Sequence, residues 1–235
     1  IKLAKETGLS VDNVTLPNVT FGYTDVPEAT INITNIGAAE LKITNVTVSD
    51  GFEINLSSQP TIGIGATNTD FKVKAKTGLN AGNHTGTITV TDIDGKTYTA
   101  TVTLKVEPKQ LTGLGISGLD STWVYGTTKT PTATGVDDLG ADGYEIIYSK
   151  KDSSGNYANI GNKLPTLVGE YKATLSVKNP NYTASEASVD FEITPITTEV
   201  KVKSYDAAFT YDGTEHTKNA YDVLWANNAS PITDN

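Results

Sequence analysis

The chain of 235 residues contains no cysteine and no methionine, and its 18 basic residues are all lysine. Without cysteine there is no disulfide framework, which disfavours an antibody-type domain, where a disulfide ordinarily joins the two sheets. A chain without sulfur has no thiol or thioether to oxidise, which suits a location outside the cell. Arginine is the favoured bidentate reader of phosphate and guanine. Its absence, with a net charge of −9, speaks against nucleic acid and against anionic membrane surfaces as partners. No window of 18 residues is continuously apolar, so membrane insertion is not expected. The chain opens at Ile1 without a signal-like apolar block, as a mature or trimmed fragment would.

Threonine is abundant instead, with 37 copies. Its β-branched side chain favours strands over helices. The pattern agrees. Gly169-Glu170-Tyr171-Lys172-Ala173-Thr174-Leu175-Ser176-Val177 alternates an apolar face (Tyr171, Ala173, Leu175, Val177) with a polar one. Gly82-Asn83-His84-Thr85-Gly86-Thr87-Ile88-Thr89-Val90 repeats the arrangement. A period of two is the mark of a half-buried strand. Further short strands are expected at Leu9–Val11, Asn18–Gly22, Ala29–Asn35, Leu41–Val48, Phe52–Ile54, Thr69–Ala75 and Tyr98–Leu104, and the last puts Tyr98, Ala100, Val102 and Leu104 inward. Many short strands with frequent turns and no helical period describe an all-β sandwich architecture.

Two strands end on proline, at Val106-Glu107-Pro108 and Ile193-Thr194-Pro195. Proline cannot donate to a ladder, so each is a natural stop. Short linkers follow at 107–110 and 194–197, and they are expected to allow little hinge motion. The expected organisation is one sandwich over 1–107, a second over 108–195, and an incomplete third repeat over 196–235, set in tandem as an elongated molecule. In the third stretch, Phe209-Thr210-Tyr211-Asp212-Gly213-Thr214 restates Trp123-Val124-Tyr125-Gly126-Thr127. Strands are expected at Glu199–Val202 and Ala208–Tyr211, with no closing hairpin. Such a tail would pair with another surface, and a fragment dimer through 196–235 is one outcome.

Two family resemblances attach to these residues. Phe21-Gly22, Asn35-Ile36-Gly37, Phe52, Gly65 and Gly82-x-His84-x-Gly86 resemble the ASH or choice-of-anchor-D type of immunoglobulin-like domain, over nearly all of 8–107. Tyr125-Gly126-Thr127, Ile147-Tyr148, Gly169-x-Tyr171-x-Ala173, Asn181-Tyr182 and Phe191-x-Ile193 resemble the MBG or YDG repeats of large bacterial surface proteins. That copy lacks the Asp of the Tyr-Asp-Gly signature, whereas Tyr211-Asp212-Gly213 keeps it. The resemblance implies a non-catalytic extracellular segment, on a bacterial cell surface or secreted, with an unknown protein or glycan as partner.

Chemistry-bearing residues are few. His84 sits on a core strand, and His216 has no Ser and Asp arranged as a triad. Asp92-Ile93-Asp94-Gly95 reads as a hairpin turn rather than a calcium loop, for no further oxygen ligands follow. Asp137, Asp138 and Asp142 form the richest carboxylate cluster and are the candidate calcium site, although no metal and no cofactor is expected. Lys, Asn and Asp abound without the arrangement of an isopeptide crosslink. Asn-x-Thr sequons such as Asn32-Ile33-Thr34 follow from composition, and several lie inside strands. Trp123, Tyr125, Tyr148 and Tyr157 are candidate rings for sugar stacking, with Trp123 and Tyr125 sharing one parity; the competing reading puts them in a core. Two function classes result: a stalk or adhesion segment, or a carbohydrate-binding accessory of a glycan-degrading enzyme. Exposure of the rings separates them.

Overall fold

Residues 6–55, 59–197, 199–204, 207–217 and 221–225 are described by the computed structural model. The chain divides into two compact units. One comprises Ile1–Ser117, Thr132–Ile147 and Thr174–Ser188; the other comprises Gly118–Pro131, Tyr148–Ala173 and Val189–Asn235.

Among the described residues the first unit begins with the strands β1 (Leu9–Val11), β2 (Val14–Thr15), β3 (Val19–Thr20), β4 (Glu28–Thr30), β5 (Ile33–Asn35), β6 (Leu41–Val48), β7 (Phe52–Asn55), β8 (Thr61–Ile62), β9 (Thr67–Asn68), β10 (Lys72–Ala75), β11 (Gly82–Asp92) and β12 (Thr97–Glu107). The ladders β1-β5-β9 and β4-β10-β7 make one layer. They adjoin at Ile31, whose N–H donates to the Phe71 carbonyl. The expected single strand 29–35 is therefore interrupted at Ile31 and Asn32, where its partner changes from β10 to β9. The order β2-β12-β11-β6-β8, with β3 also on β12, makes the other layer. The chain starts antiparallel to β5 and then crosses over to lie parallel to β12.

Alternation decides what faces inward. On β11, Gly86, Ile88 and Val90 are buried while Thr85 and Thr87 are exposed. On β12, Ala100, Val102, Leu104 and Val106 are buried. They meet Ile31, Ile33, Phe71 and Val73 from the opposite layer in one core. Each such side chain contributes roughly 1.5–3 kcal/mol by leaving water. Gly86 lies under the Phe52 ring, where a Cβ would come within 2.6 Å of Phe52 Cδ2 and 3.0 Å of Val102 Cγ1. The missing side chain makes room for the phenyl ring.

Two polar side chains are buried here, Asn35 and Asp92. Asn35 Nδ2 donates to the carbonyls of Ala39 and Ile62, each at 2.8 Å, and its Oδ1 accepts Gly37 N–H at 2.9 Å. It thus ties the end of β5 to the following turn and to β8. Asp92 Oδ1 accepts the amides of Asp94 and Lys96, and its Oδ2 accepts the Tyr98 hydroxyl at 3.1 Å. Burial of both is tolerable because these bonds replace water.

Further along the chain lie β13 (Lys109–Leu111), β14 (Gly115–Ser117), β15 (Thr122–Val124), β16 (Thr132–Thr134), a 3-10 turn (Asp137–Leu139), β17 (Tyr144–Lys151), β18 (Tyr157–Gly161), β19 (Gly169–Val177), β20 (Tyr182–Ala184) and β21 (Ala187–Thr194). Within the first unit β13 runs parallel to β20, and β14 pairs antiparallel with β16. Leu111, Val136, Leu139 and Leu175 form a small core there. Phe21 packs edge-on against Tyr182 with ring centroids 5.4 Å apart. Asn181 Oδ1 accepts Ala81 N–H at 2.7 Å, and the Asn181 carbonyl accepts Lys109 N–H at 2.9 Å. These contacts pin residues 107–110 on both sides of Pro108. β12 and β21 each stop on the residue before a proline, as loss of the N–H donor requires.

The second unit holds β15, β18 and the 148–151, 169–173 and 189–194 parts of the sheet ordered β15-β21-β19-β17-β18. β15 is parallel to β21, and β18 is antiparallel to β17. In the tail, β22 (Val200–Ser204) pairs antiparallel with β23 (Tyr221–Trp225). This corrects two expectations. A closing partner does exist at 221–225, and 208–211 is not a strand. Alternating Tyr-x-Val-x-Trp supplies the strand at 221–225. Beyond the 3-10 turn, no helix occurs among the described residues.

Candidate functional site

The ring candidates part company in the structure. Trp123 and Tyr148 are buried, at 7% and 2% exposure. Phe191 is the hub between them. It stacks on Trp123 at 4.8 Å and 15°, stacks on Tyr171 at 5.4 Å and 22°, and meets Tyr148 edge-on at 6.3 Å and 83°. Offset and edge-on pairs of this kind satisfy the ring quadrupoles. Two candidates for sugar stacking are thus core residues, closed to a glycan. Tyr125 and Tyr157 remain at the surface, at 46% and 37% exposure. The shared parity expected of Trp123 and Tyr125 is broken, because β15 ends at Val124. Tyr125 N–H donates to the Thr194 carbonyl and Thr127 N–H to the Val124 carbonyl, so Tyr125 belongs to a turn.

Tyr157 is engaged within the protein. Its hydroxyl donates to Asp190 Oδ1 at 3.1 Å, and the Lys172 ammonium lies 4.6 Å from its ring centroid. Lys172 also pairs with Asp190 at 3.9 Å. Burial first, then the hydrogen bond to Asp190, pushes the Tyr157 phenol above its usual range. Lysines likewise lie near two core rings, with Lys129 5.8 Å from the Trp123 centroid and Lys150 5.9 Å from that of Tyr171. Neither the hub role of Phe191 nor these lysines can be read from strand alternation, because they depend on which strands become neighbours.

The carboxylates do not converge. Asp138 Oδ2 pairs with Lys109 Nζ at 2.7 Å. Asp137 and Asp138 are consecutive in the 3-10 turn, whose three-residue period sends successive side chains in different directions. Among the described residues no group of three acidic, His or Cys side chains could hold a metal ion. Asp92 spends its oxygens on the hairpin turn, as described above. His84 Nε2 donates to the Asn80 carbonyl at 2.7 Å. His216 Nε2 lies 2.8 Å from Asp212 Oδ1, which also accepts from the Thr214 hydroxyl at 2.7 Å. Those two bonds, Thr214 first, hold the Asp212 carboxyl below its usual range. An open hollow of about 360 Å³ in the second unit is lined by Lys150, Ile160, Lys163, Leu164, Leu167 and Tyr171 among others. Its lining includes two lysines and no carboxylate.

No protein-family model matches the chain, and no curated protein matches it. Solved structures do. Mouse clustered PcdhgC3 EC1-3 aligns with 82% of this chain and 68% of its own, at 12% identity and a TM-score of 0.38. Murine CEACAM1b aligns with 80% of this chain and 100% of its own, at 15% identity and a TM-score of 0.31. The Vibrio cholerae VesB protease aligns with 42% of this chain at 19% identity and a TM-score of 0.32, and this chain spans 32% of the length of that one. By its own strands the fold is all-β, and the first unit packs two layers of strands around one core.

Proposed function

We propose that this chain is a non-catalytic extracellular module of a larger bacterial surface protein, serving as a stalk or adhesion segment. The observation that supports it is serial repetition. An aromatic ring, a glycine turn and a basic side chain on the ring recur at 123–129 and 209–216. Repeated units suit a spacer, because length grows by adding copies. The resemblance to MBG-type repeats points the same way. The glycan-accessory reading is left with Tyr125 as its one uncommitted ring among the four candidates, too small a platform for a sugar chain.

Antibody raised against the chain should label intact bacteria that carry the parent protein. Labelling only after lysis overturns the extracellular reading. Replacing residues 1–195 of the parent by an unrelated tandem sandwich of equal length separates the two roles. Adhesion is retained if the segment is a spacer and lost if it is adhesive. Turnover of a polysaccharide, peptide or ester substrate by the purified chain refutes the non-catalytic reading.

A further inference from the structure

The hollow of about 360 Å³ in the second unit is built from one stretch of chain, 150–171. Side chains alternate along β17, so Lys150 stands on the side that the buried Tyr148 occupies. Its ammonium lies 5.9 Å from the centroid of the Tyr171 ring. β18 is bulged opposite this point: Tyr148 faces Gly161 while Ser149 faces Asn159, which leaves Ile160 as the extra residue. A bulge re-aims the side chain it carries, and Ile160 lines the hollow. The remaining wall is 163–167. Tyr171 Oη donates to the Leu167 carbonyl at 2.8 Å, and Pro165 restricts the same segment, so this wall is tied down. A Cβ on Gly169 would stand 3.2 Å from Lys150 Cε, and its absence leaves the lysine stem room beside Tyr171.

The charge in the hollow is unmatched. The chain has 27 acidic residues against 18 basic ones, and the neighbouring lysines of this sheet are paired, Lys151 with Glu170 at 3.0 Å and Lys172 with Asp190 at 3.9 Å. Lys150 and Lys163 line the hollow and no carboxylate does. Among the described residues neither of the two makes an ion pair. Aliphatic surface lies beside them, with Ile160 45% and Leu167 64% exposed. Cations without a counter-charge next to bare aliphatic surface complement an anion that carries an aliphatic body. We infer that this hollow binds a small monocarboxylate with an unbranched aliphatic chain, the carboxylate on Lys150 and Lys163 and the chain over Ile160, Leu164 and Leu167. Its volume is at the small end of the roughly 300–1,000 Å³ that small-molecule sites span, so a short chain fits. Inorganic phosphate would leave the aliphatic wall bare, and a cation would be repelled by both lysines. The inference rests on the hollow's own residues and is independent of the stalk or adhesion reading.

The test titrates the isotope-labelled full chain with sodium octanoate and follows backbone amide shifts. Saturable binding in the millimolar range or tighter is expected, with shifts confined to 148–151 and 158–171. Sodium acetate and 1-octanol each carry half of the ligand and should bind at least tenfold more weakly, and octyltrimethylammonium should not saturate. Lys150→Gln and Lys163→Gln together should weaken octanoate at least tenfold with the melting temperature unchanged, whereas Lys150→Arg with Lys163→Arg should keep most of the affinity. Added sodium chloride should weaken binding by screening the charges. If the glutamine pair lowers the melting temperature, Thr166→Asp decides instead, because it sets a carboxylate at an exposed position of the lining and should abolish saturation. The inference is overturned if octanoate does not saturate, if acetate, octanol or octyltrimethylammonium matches it, if the deciding variant binds unchanged, or if the shifts lie outside this segment.

Discussion

Replacing Asn35 by Ala should be among the most damaging single changes in the first unit. Asn35 is fully buried, and its amide serves three backbone groups: the carbonyls of Ala39 and Ile62 and the N–H of Gly37. Truncation leaves the buried Ile62 carbonyl without its partner, a loss of about 1–3 kcal/mol. The other two groups are partly buried, and each adds about 0.5–1 kcal/mol. The sum is about 3 kcal/mol. With a urea m-value of about 2 kcal/mol/M, the midpoint should fall by about 1.5 M. Asn35→Asp separates hydrogen bonding from packing. It keeps the shape and the acceptor for Gly37, but one carboxylate oxygen would face two carbonyls that now receive a proton from Nδ2. Repulsion and burial would raise the pKa of that carboxyl in the folded state. A raised folded pKa means stability is lost as pH rises through it, so the deficit of Asn35→Asp should shrink on going from neutral pH towards about 4. Urea unfolding across that range reads both effects. A loss below about 0.5 kcal/mol for Asn35→Ala, or a deficit of Asn35→Asp that does not change with pH, refutes the reasoning.

Gly86→Ala should cost about 1–3 kcal/mol by overpacking, since its Cβ would press on the Phe52 ring and Val102; calorimetry on a Phe52→Leu background should show a smaller cost, and equal costs would sink the steric explanation. The phenols of Tyr98, Tyr148 and Tyr171 are held above their ordinary value of 10.0, by burial first and, for Tyr98, next by its bond to Asp92. The fold therefore favours the neutral phenol, and its contribution is complete below about pH 10 and lost as pH rises through the raised folded values. Melting temperature should fall across that window, less steeply in Tyr148→Phe, while ultraviolet difference titration shows late-ionising tyrosines; a melting temperature insensitive to alkali counts against it.

Much of the fold was legible in the sequence because strand burial is a local, two-residue rhythm. Gly86, Ile88, Val90, Tyr171, Ala173 and Leu175 face inward as expected, while His84 and Val177, expected on the same faces, are only half-buried. Proline stops were legible for a local reason too, since a missing N–H ends a ladder whatever lies nearby. Two local signals were weaker. Residues 14–15 make a strand too short for alternation to register, and 221–225 alternates over only five residues. The candidate site was less legible. Alternation assigns Tyr148 and Tyr157 to faces of strands, but it does not say whether a face is covered.

What the sequence alone determined, then, is the all-β class, the inward faces and the turns, each of which depends on residues near one another in the chain. Tertiary structure alone decided which rings are covered. Trp123 is closed off because β21 lies parallel beside β15 and brings Phe191 onto its face. Asp138 is spent on Lys109, and Asn35 is committed to Ile62, 27 residues away. Such partners are set by strand order and register, and those follow from the free energy of the whole packed core rather than from any local stretch.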